Sequence, residues 1–436
     1  MERVYLAECR SYDAAEAEEC IRDALDALGV QLPHGKTVFV KPNCVWAHPK
    51  YAPAAFTNPQ IVKAIVRLLA DNEIVIAENS MAGIPTRYSY RKAGYHKLAK
   101  EEGFKLIAID EAPTMRVRLE RGTVHSDIAL PDHFLQSSFF VSLPKLKTST
   151  YLPFTGALKL NLGLLQDGEM VWEHHRLAEK LVDLLEVASP DLVIVDAIEV
   201  GEGGGSLTCL PKPLGVLIVG TNAVAVDAVA AAVFGLAPEE VEFLRLAHER
   251  GYGPIDLGEI KVVGDIPLEE LVRRAAELER PDPHPENAPL PPQVKVVRGS
   301  PYRITGSAGA LREFFYLLER GGIDLSKARE TTIVIGRAEE ELVGESDRSA
   351  LALLGDDAQA RYRGFSRVAR IGGRSILIKQ LLDDLPLIMK IKNPRDEFMG
   401  ELAWYGLLAA LARWRNRLTH RAPSASGAIA KGGDPE

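Results

Sequence analysis

An α/β fold, with a mostly parallel sheet flanked by helices and a second, smaller α/β unit behind it, is what this 436-residue sequence predicts. Three observations carry that expectation. Short runs that are apolar at nearly every position, among them TVFVKPN, EIVIAEN and DLVIVDAIEV, read as strands buried on both faces, as parallel sheets require. Between them lie segments with apolar residues at helical spacing, so strand and helix alternate in the Rossmann-like manner. Residues 281–292, PDPHPENAPLPP, hold six prolines in twelve positions, a composition that favours a stiff, extended linker.

Element by element, RVYLAEC (3–9) opens as a strand, and AAEAEECIRDALDALG (14–29) follows as an amphipathic helix closed by Gly29. TVFVKPN (37–43) is the next strand. NPQIVKAIVRLLA (58–70) is a helix, with Asn58 as cap and Pro59 in the first turn. EIVIAEN (73–79) is a strand ending near Glu78, residues 86–102 are helix-like, and FKLIAID is another strand. His125–Leu130 reads as an edge or hairpin strand, ahead of the strand Phe139–Leu143. A helix over 173–188, a core strand over 191–200, a glycine-rich crossing at 200–208, a strand at 214–220, the helix NAVAVDAVAAAVFG and the strand IKVVGD (260–265) complete the set. The expected division is an α/β domain over 1–275, a linker over 276–295, a smaller α/β domain over 296–420 containing TTIVIG and LALLG, and a disordered tail over 421–436.

A formal net charge of −8 argues against a nucleic-acid partner, because backbone recognition needs a basic footprint. The four cysteines, Cys9, Cys20, Cys44 and Cys209, lack the close spacing of a zinc or iron–sulfur site. Neither a disulfide framework nor a signal peptide is expected, which makes a reducing cytoplasm the default location. The apolar stretches are too short or too charged to span a bilayer. ELAWYGLLAALARWRNRLTH (401–420) combines an apolar face with Trp404, Trp414, Arg413, Arg415 and Arg417. It reads as a helix docked on its own protein or on a second subunit, with a membrane surface as the alternative. Together with LPLIMKIKNP (385–394), it favours a homodimer.

Chemistry concentrates in VSLPKLKTSTYLPFTGALKLNLG (141–163). An apolar strand delivers Lys145, Lys147 and Lys159, with Asn161 and Gly163 close behind, as at the carboxyl end of a buried strand opening onto a ligand pocket. VFVKPN repeats the logic with Lys41 and Asn43. Several lysines together hold phosphate or carboxylate, and one with a lowered pKa acts as base or nucleophile. The bland alternative is that single lysines are simply solvated. Glu78, Asp196, Glu202 and Asp227 form the acidic counter-set; buried acids need partners, so structural ion pairs compete with catalysis, most of all for Asp227. His174 and His175 are adjacent on a helix and point about 100° apart. HExxH, GxSxG, GxGxxG and GxxxxGK[ST] are absent from the sequence. Candidate catalytic residues are therefore Lys147, Asp196 and Glu202, and candidate cofactor-binding residues are Lys41, Asn43, Lys145, Lys159 and Asn161. No dedicated metal site is expected. A phosphate-bearing organic cofactor, or a divalent ion held by Glu202, Asp196 and phosphate, both remain open.

VFVKPN, FTNPQIVKAIVRLL, SLPKLKTSTYLPFTGALKLNLG, DLVIVDAIEVGEGGGS and GTNAVAVDAVAAAVFGLAPEEVEFLRLAHERGYG together resemble the DUF362 family, many of whose members carry ferredoxin modules. The resemblance covers about residues 35–265. It implies functional positions at Lys41, Asn43, Lys145, Lys147, Lys159, Asn161 and Glu202, with the family's Asp at Asp227. Relatives often read KTH where this chain has Lys147-Thr148-Ser149, and LKN where it has Lys159-Leu160-Asn161. Some carry a GCPP-like run where this chain has Gly372-Gly373-Arg374-Ser375. Without that cysteine or a ferredoxin motif, no intrinsic iron–sulfur cluster is expected. A fainter similarity to the N-terminal fold of the lactate racemases points toward a small acid or a nucleotide-like cofactor. The expected function is an enzyme of reductase or isomerase class acting on an anionic small molecule. The alternative is a non-catalytic protein that binds or delivers such a ligand.

Overall fold

A computed structural model describes residues 1–419; the tail expected over 421–436 lies outside the described residues. In chain order the strands are β1 (Glu2–Glu8), β2 (Thr37–Pro42), β3 (Glu73–Glu78) and β4 (Lys105–Ala108). A separate ribbon pairs β5 (Thr114–Arg118) with β6 (Asp127–Pro131). β7 (Phe139–Leu143), β8 (Lys145–Lys147), β9 (Leu192–Glu202), β10 (Leu210–Gly220) and β11 (Ile260–Gly264) follow. The large sheet runs β11-β1-β10-β9-β7-β2-β3-β4, with β8 beside β9. Its pairings are parallel except those of β10, which is antiparallel to both β1 and β9. β9 and β10 are joined by a short glycine-rich turn, and an antiparallel pair needs no crossover helix.

Period-two alternation sends the strand side chains into two cores. Phe39, Val75, Val193 and Val195 face the helices Leu177–Ala188 and Ala223–Val233. Val38, Val40, Ile74, Ile76 and Ile194 face the helices Ala14–Leu28 and Pro59–Leu68. The expected end signals operate as read. Asp13 accepts from the amides of Ala15 and Glu16, Gly29 takes φ 73° beyond the same helix, and Asn58 accepts from Gln60 N.

The smaller sheet is all parallel: β12 (Val294–Arg298), β13 (Thr331–Val343), β14 (Ala350–Arg363) and β15 (Arg367–Ile371). Extended, the 13 residues of β13 would run about 43 Å at roughly 3.3 Å each, yet the short link 344–349 brings the chain back beside its start. β13 must therefore fold on itself, and it does so at Gly336 (φ 72°); β14 repeats the bend at Gly355 (φ 94°). The core over this sheet, with Phe314, Leu318, Ile333 and Leu385, also takes in Trp46, Tyr51 and Tyr88 from the first hundred residues. The two sheets are thus joined by continuous apolar packing. The segment LPLIMKIKNP contributes its first residues to the helix Ile378–Met389, and the last described helix spans Met399–Thr419.

Candidate anion-binding cavity

Parallel pairing of β2, β3 and β7 brings their carboxyl ends to one edge of the sheet. Lys41, fully buried at the end of β2, forms an ion pair with Glu78 at the end of β3. The other Glu78 oxygen accepts from Cys44 N at 3.2 Å. Burial pushes the Lys41 ammonium well below its ordinary pKa. Gly163 lies against this pair: a Cβ there would sit 2.7 Å from Lys41 Nζ and 2.5 Å from Glu78 Oε2, so any larger residue would displace the ends of these two side chains.

Lys145, on β8, donates to Tyr12 OH at 2.6 Å and lies 3.2 Å from Asp196 Oδ2. Asp196 also accepts from Tyr12 OH (2.9 Å) and Asn58 N (3.0 Å). Its burial is therefore satisfied by a lysine, a phenol and an amide. Both of its oxygens thus have partners, which is the arrangement the sequence required of a buried acid.

Two residues on, Lys147 is 2% exposed and donates to two neutral oxygens, Asn43 Oδ1 and Ala55 O, each at 3.2 Å. Lys159 stands half-buried on the short helix Ala157–Leu160, and among the described residues no hydrogen bond or ion pair reaches its ammonium. Burial lowers Lys147 to about 8; burial reinforced by the Lys147 charge lowers Lys159 to about 8.

Two other expected residues sit elsewhere. Asn161 follows Lys159 by two positions, which on a helix turns its side chain about 200° away; its amide donates to Ala188 O at 2.9 Å, at the end of the helix Leu177–Ala188. Glu202, at the end of β9, accepts from Glu279 N (2.9 Å) and lies 3.8 Å from Lys212 Nζ, so it anchors the stretch leading into the linker. Asp227 is structural: it accepts from Ala157 N (2.7 Å) and Leu158 N (2.9 Å), capping the helix that carries Lys159. Burial raises its pKa to about 7 despite those two amides. His174 is buried against Tyr151, and burial, then the Lys159 and Lys180 charges, lowers it to about 3.

Two groups escaped the sequence reading. Lys180, fully buried, donates to the carbonyls of Glu169, Met170 and Trp172 at 2.9, 3.0 and 2.6 Å. Glu313, fully buried on the helix Gly309–Gly321, accepts from the amides of Leu207 and Thr208 and from the hydroxyls of Thr208 and Thr150. It thereby fixes the glycine-rich turn, and burial raises its pKa. A charged residue inside the apolar runs AEKLVDLL and GALREFFYLL is the signal that would have found both.

Asn43, Lys145, Lys147, Lys159, Glu78 and Ser206 are among the groups that line a cavity with about 60 Å³ of room for water-sized molecules. Burial raises the nearby thiols, Cys44 to about 12 and Cys209 to about 11, so both stay protonated near neutral pH. Among the described residues no group of three or more His, Cys, Asp or Glu is placed to hold a metal ion, and the four cysteines are free. No helix of the described residues is long and apolar enough to cross a membrane.

An α/β scaffold whose strand ends deliver cations to one small cavity is the class of protein this defines. Residues 38–232 of the chain are similar to the family model described as "Domain of unknown function (DUF362)". Lys41, Lys145, Lys147, Lys159, Asp196 and Asp227 all fall within the match, and Glu313 lies outside it. Over 266 residues the chain is 25% identical to the "Thylakoid-associated protein sll1697" of Synechocystis sp., covering 58% of this chain and 80% of that protein. Among solved structures, the lactate racemase apoprotein from Thermoanaerobacterium thermosaccharolyticum is similar at a TM-score of 0.35 and 11% identity, over 77% of this chain and 69% of that one.

Proposed function

We propose that this protein is a cytoplasmic enzyme acting on a small anionic molecule held between Lys147 and Lys159, with isomerase or reductase chemistry. The observation that carries this reading is a charge imbalance. Lys41 has Glu78 and Lys145 has Asp196, whereas Lys147 meets only neutral oxygens and Lys159 meets no partner among the described residues. Buried cations without counter-charge are costly, and a bound carboxylate or phosphate removes the imbalance. With both ammonium groups near pKa 8, about a tenth of each is neutral amine at pH 7. A neutral amine can take the proton from a carbon next to the substrate's carboxylate: the C–H bond breaks, an N–H bond forms, and the electron pair spreads onto the carboxylate. The second ammonium then returns a proton to that carbon, which is isomerisation.

Native mass spectrometry of freshly purified protein, followed by calorimetric titration with inorganic phosphate and small organic acids, tests the reading. A retained anion, or binding weakened at least tenfold in Lys147→Met and Lys159→Met, is expected. Flat titrations on a protein that retains nothing overturn it. A non-catalytic carrier is the second reading, favoured because Asp196, Glu202 and Asp227 are all tied down; ligand bound without turnover would select it.

The helix Met399–Thr419 supports a proposal about location on a surface. Trp404, Leu407, Leu411, Trp414 and Leu418, spaced 3, 4, 3 and 4 apart, are 52–67% exposed, while Leu402 and Ala409 are buried against the protein. Between residues 402 and 418 the charges are three arginines and no acid, which suits an anionic lipid surface better than a second copy bearing the same arginines. Liposome flotation is expected to be lost in Trp404→Ala/Trp414→Ala; a dimer in light scattering that this variant disrupts would assign the stripe to self-association instead.

A further inference from the structure

We infer that the lysine cavity is the inner compartment of a two-part site, whose ligand is an organic anion with a phosphate or carboxylate head and a ring-bearing body lying in the adjoining cleft. The inference rests on the assignment of Lys147 and Lys159 as anion holders. The first argument is size: about 60 Å³ accepts a head group and little more. The neighbouring cleft offers about 900 Å³, within the range of small-molecule sites.

The second argument is contiguity. Ser206 lines the inner cavity and Ser149 lines the cleft, and their hydroxyls are 2.8 Å apart. The loop that follows Ser149 serves both spaces, with Thr155 on the inner wall and Tyr151 and Leu152 on the outer. The backbone on each side of the serine pair is fixed. Thr148 N donates to Gly201 O and Thr148 Oγ1 to Gly204 O, both at 2.8 Å. Glu313 holds Leu207 and Thr208, and a Cβ at Gly204 would sit 2.6 Å from Thr208 O. Ser149 Oγ is held in place by the amides of Tyr151 (3.1 Å) and Leu152 (3.4 Å), so the hydroxyl between these clamps that can turn from its neighbour to a ligand oxygen is that of Ser206.

The third argument is the chemistry of the cleft. Arg280, Arg298 and Arg303 face it together with Glu240, Glu242 and Asp282, so the signs offset and a polyanionic body is disfavoured. Tyr302 supplies ring surface, with His284 stacked at 5.7 Å and 17° and the Arg298 guanidinium 4.2 Å from its centroid. The Tyr302 ring thus already has two stacking partners, and a ligand ring in the cleft would meet the planar imidazole or guanidinium of this stack, both of which line the same space. Arg298 and Arg303 already pair with Glu286 and Asp357, which leaves the exposed Arg280 without an ion-pair partner among the described residues.

The test is calorimetric titration of the full chain with inorganic phosphate, phenyl phosphate and adenosine monophosphate. The esters are expected to bind at least tenfold tighter than phosphate. Tyr302→Ala, which strips the outer platform, should erase that advantage while leaving phosphate affinity within twofold; Ser206→Val, which narrows the junction, should weaken the esters at least fivefold more than it weakens phosphate. Tyr302→Ala keeps the test open if the valine variant disturbs the glycine-rich turn. Phosphate binding that depends on Lys159, with esters no tighter than phosphate or untouched by both variants, overturns the two-part site and leaves the lysine reading standing. If neither phosphate nor esters bind the wild-type chain, the lysine reading fails, and the two-part site fails with it.

Discussion

Lys159→Met keeps most of the side chain's length and removes its charge. In the fold, burial and the neighbouring Lys147 lower this lysine from 10.5 to about 8. That lowering corresponds to about 3 kcal/mol against the charged form in the fold. The sign follows from proton counting. Between about pH 8 and 10.5 the unfolded chain holds a proton that the folded chain has shed, so wild-type stability rises with pH across that window; below about 8 the full penalty is present. The methionine variant should therefore be about 3 kcal/mol more stable than wild type at pH 7, and the gap should close as the pH rises past 10. Urea denaturation at pH 7 and pH 10 reads both numbers. Saturating phosphate should narrow the gap at pH 7 by stabilising only the wild-type chain. A variant less stable than wild type at pH 7, or a gap that ignores pH, refutes the claim that Lys159 is a desolvated cation awaiting an anion.

Asp196→Asn removes the carboxylate beside the Lys145 ammonium and should cost roughly 3–5 kcal/mol, measured in the same urea assay; a loss under about 1 kcal/mol would contradict the assigned burial of the pair. Gly205→Ala places a methyl group against the Glu313 carboxylate and should destabilise by about 1–3 kcal/mol, with a lower Tm; an unchanged Tm would mean the turn is not held as described. His174, lowered to about 3 mainly by burial, should show no imidazole titration by NMR between pH 5 and 8, and a midpoint in that range would place it in contact with solvent.

Strand-end chemistry was legible because it is local. An apolar run followed at once by a charge marks a strand leaving the core, and Lys41, Glu78, Lys145 and Lys147 all stand where that signal puts them. Pairing was not legible, because it depends on residues far apart in sequence. Tyr12 reaches Asp196 across 184 positions and Glu313 reaches Thr208 across 105, and no local pattern separates a lysine with a partner from one without. The direction of Asn161 was not legible either: two positions from Lys159 is near in sequence but far in direction on a helix, and its amide meets Ala188 O. The bent strands of the smaller sheet were hidden because Gly336 and Gly355 close TTIVIG and LALLG like ordinary strand ends, whereas in space the chain continues past each glycine as the return limb of one strand.

The reach of Glu313 into the glycine-rich turn has a consequence for biosynthesis. The turn leaves the ribosome 105 residues before its acceptor, an interval of about 5–20 s at ordinary rates of translation. Throughout that interval the nascent chain carries Lys41, Lys145, Lys147 and Lys159 but lacks the carboxylate that shapes the wall beside them. A product that stopped at the proline-rich stretch would stay in that condition permanently, its amides at Leu207 and Thr208 without their acceptor. Completion of the cavity is thereby tied to completion of the chain.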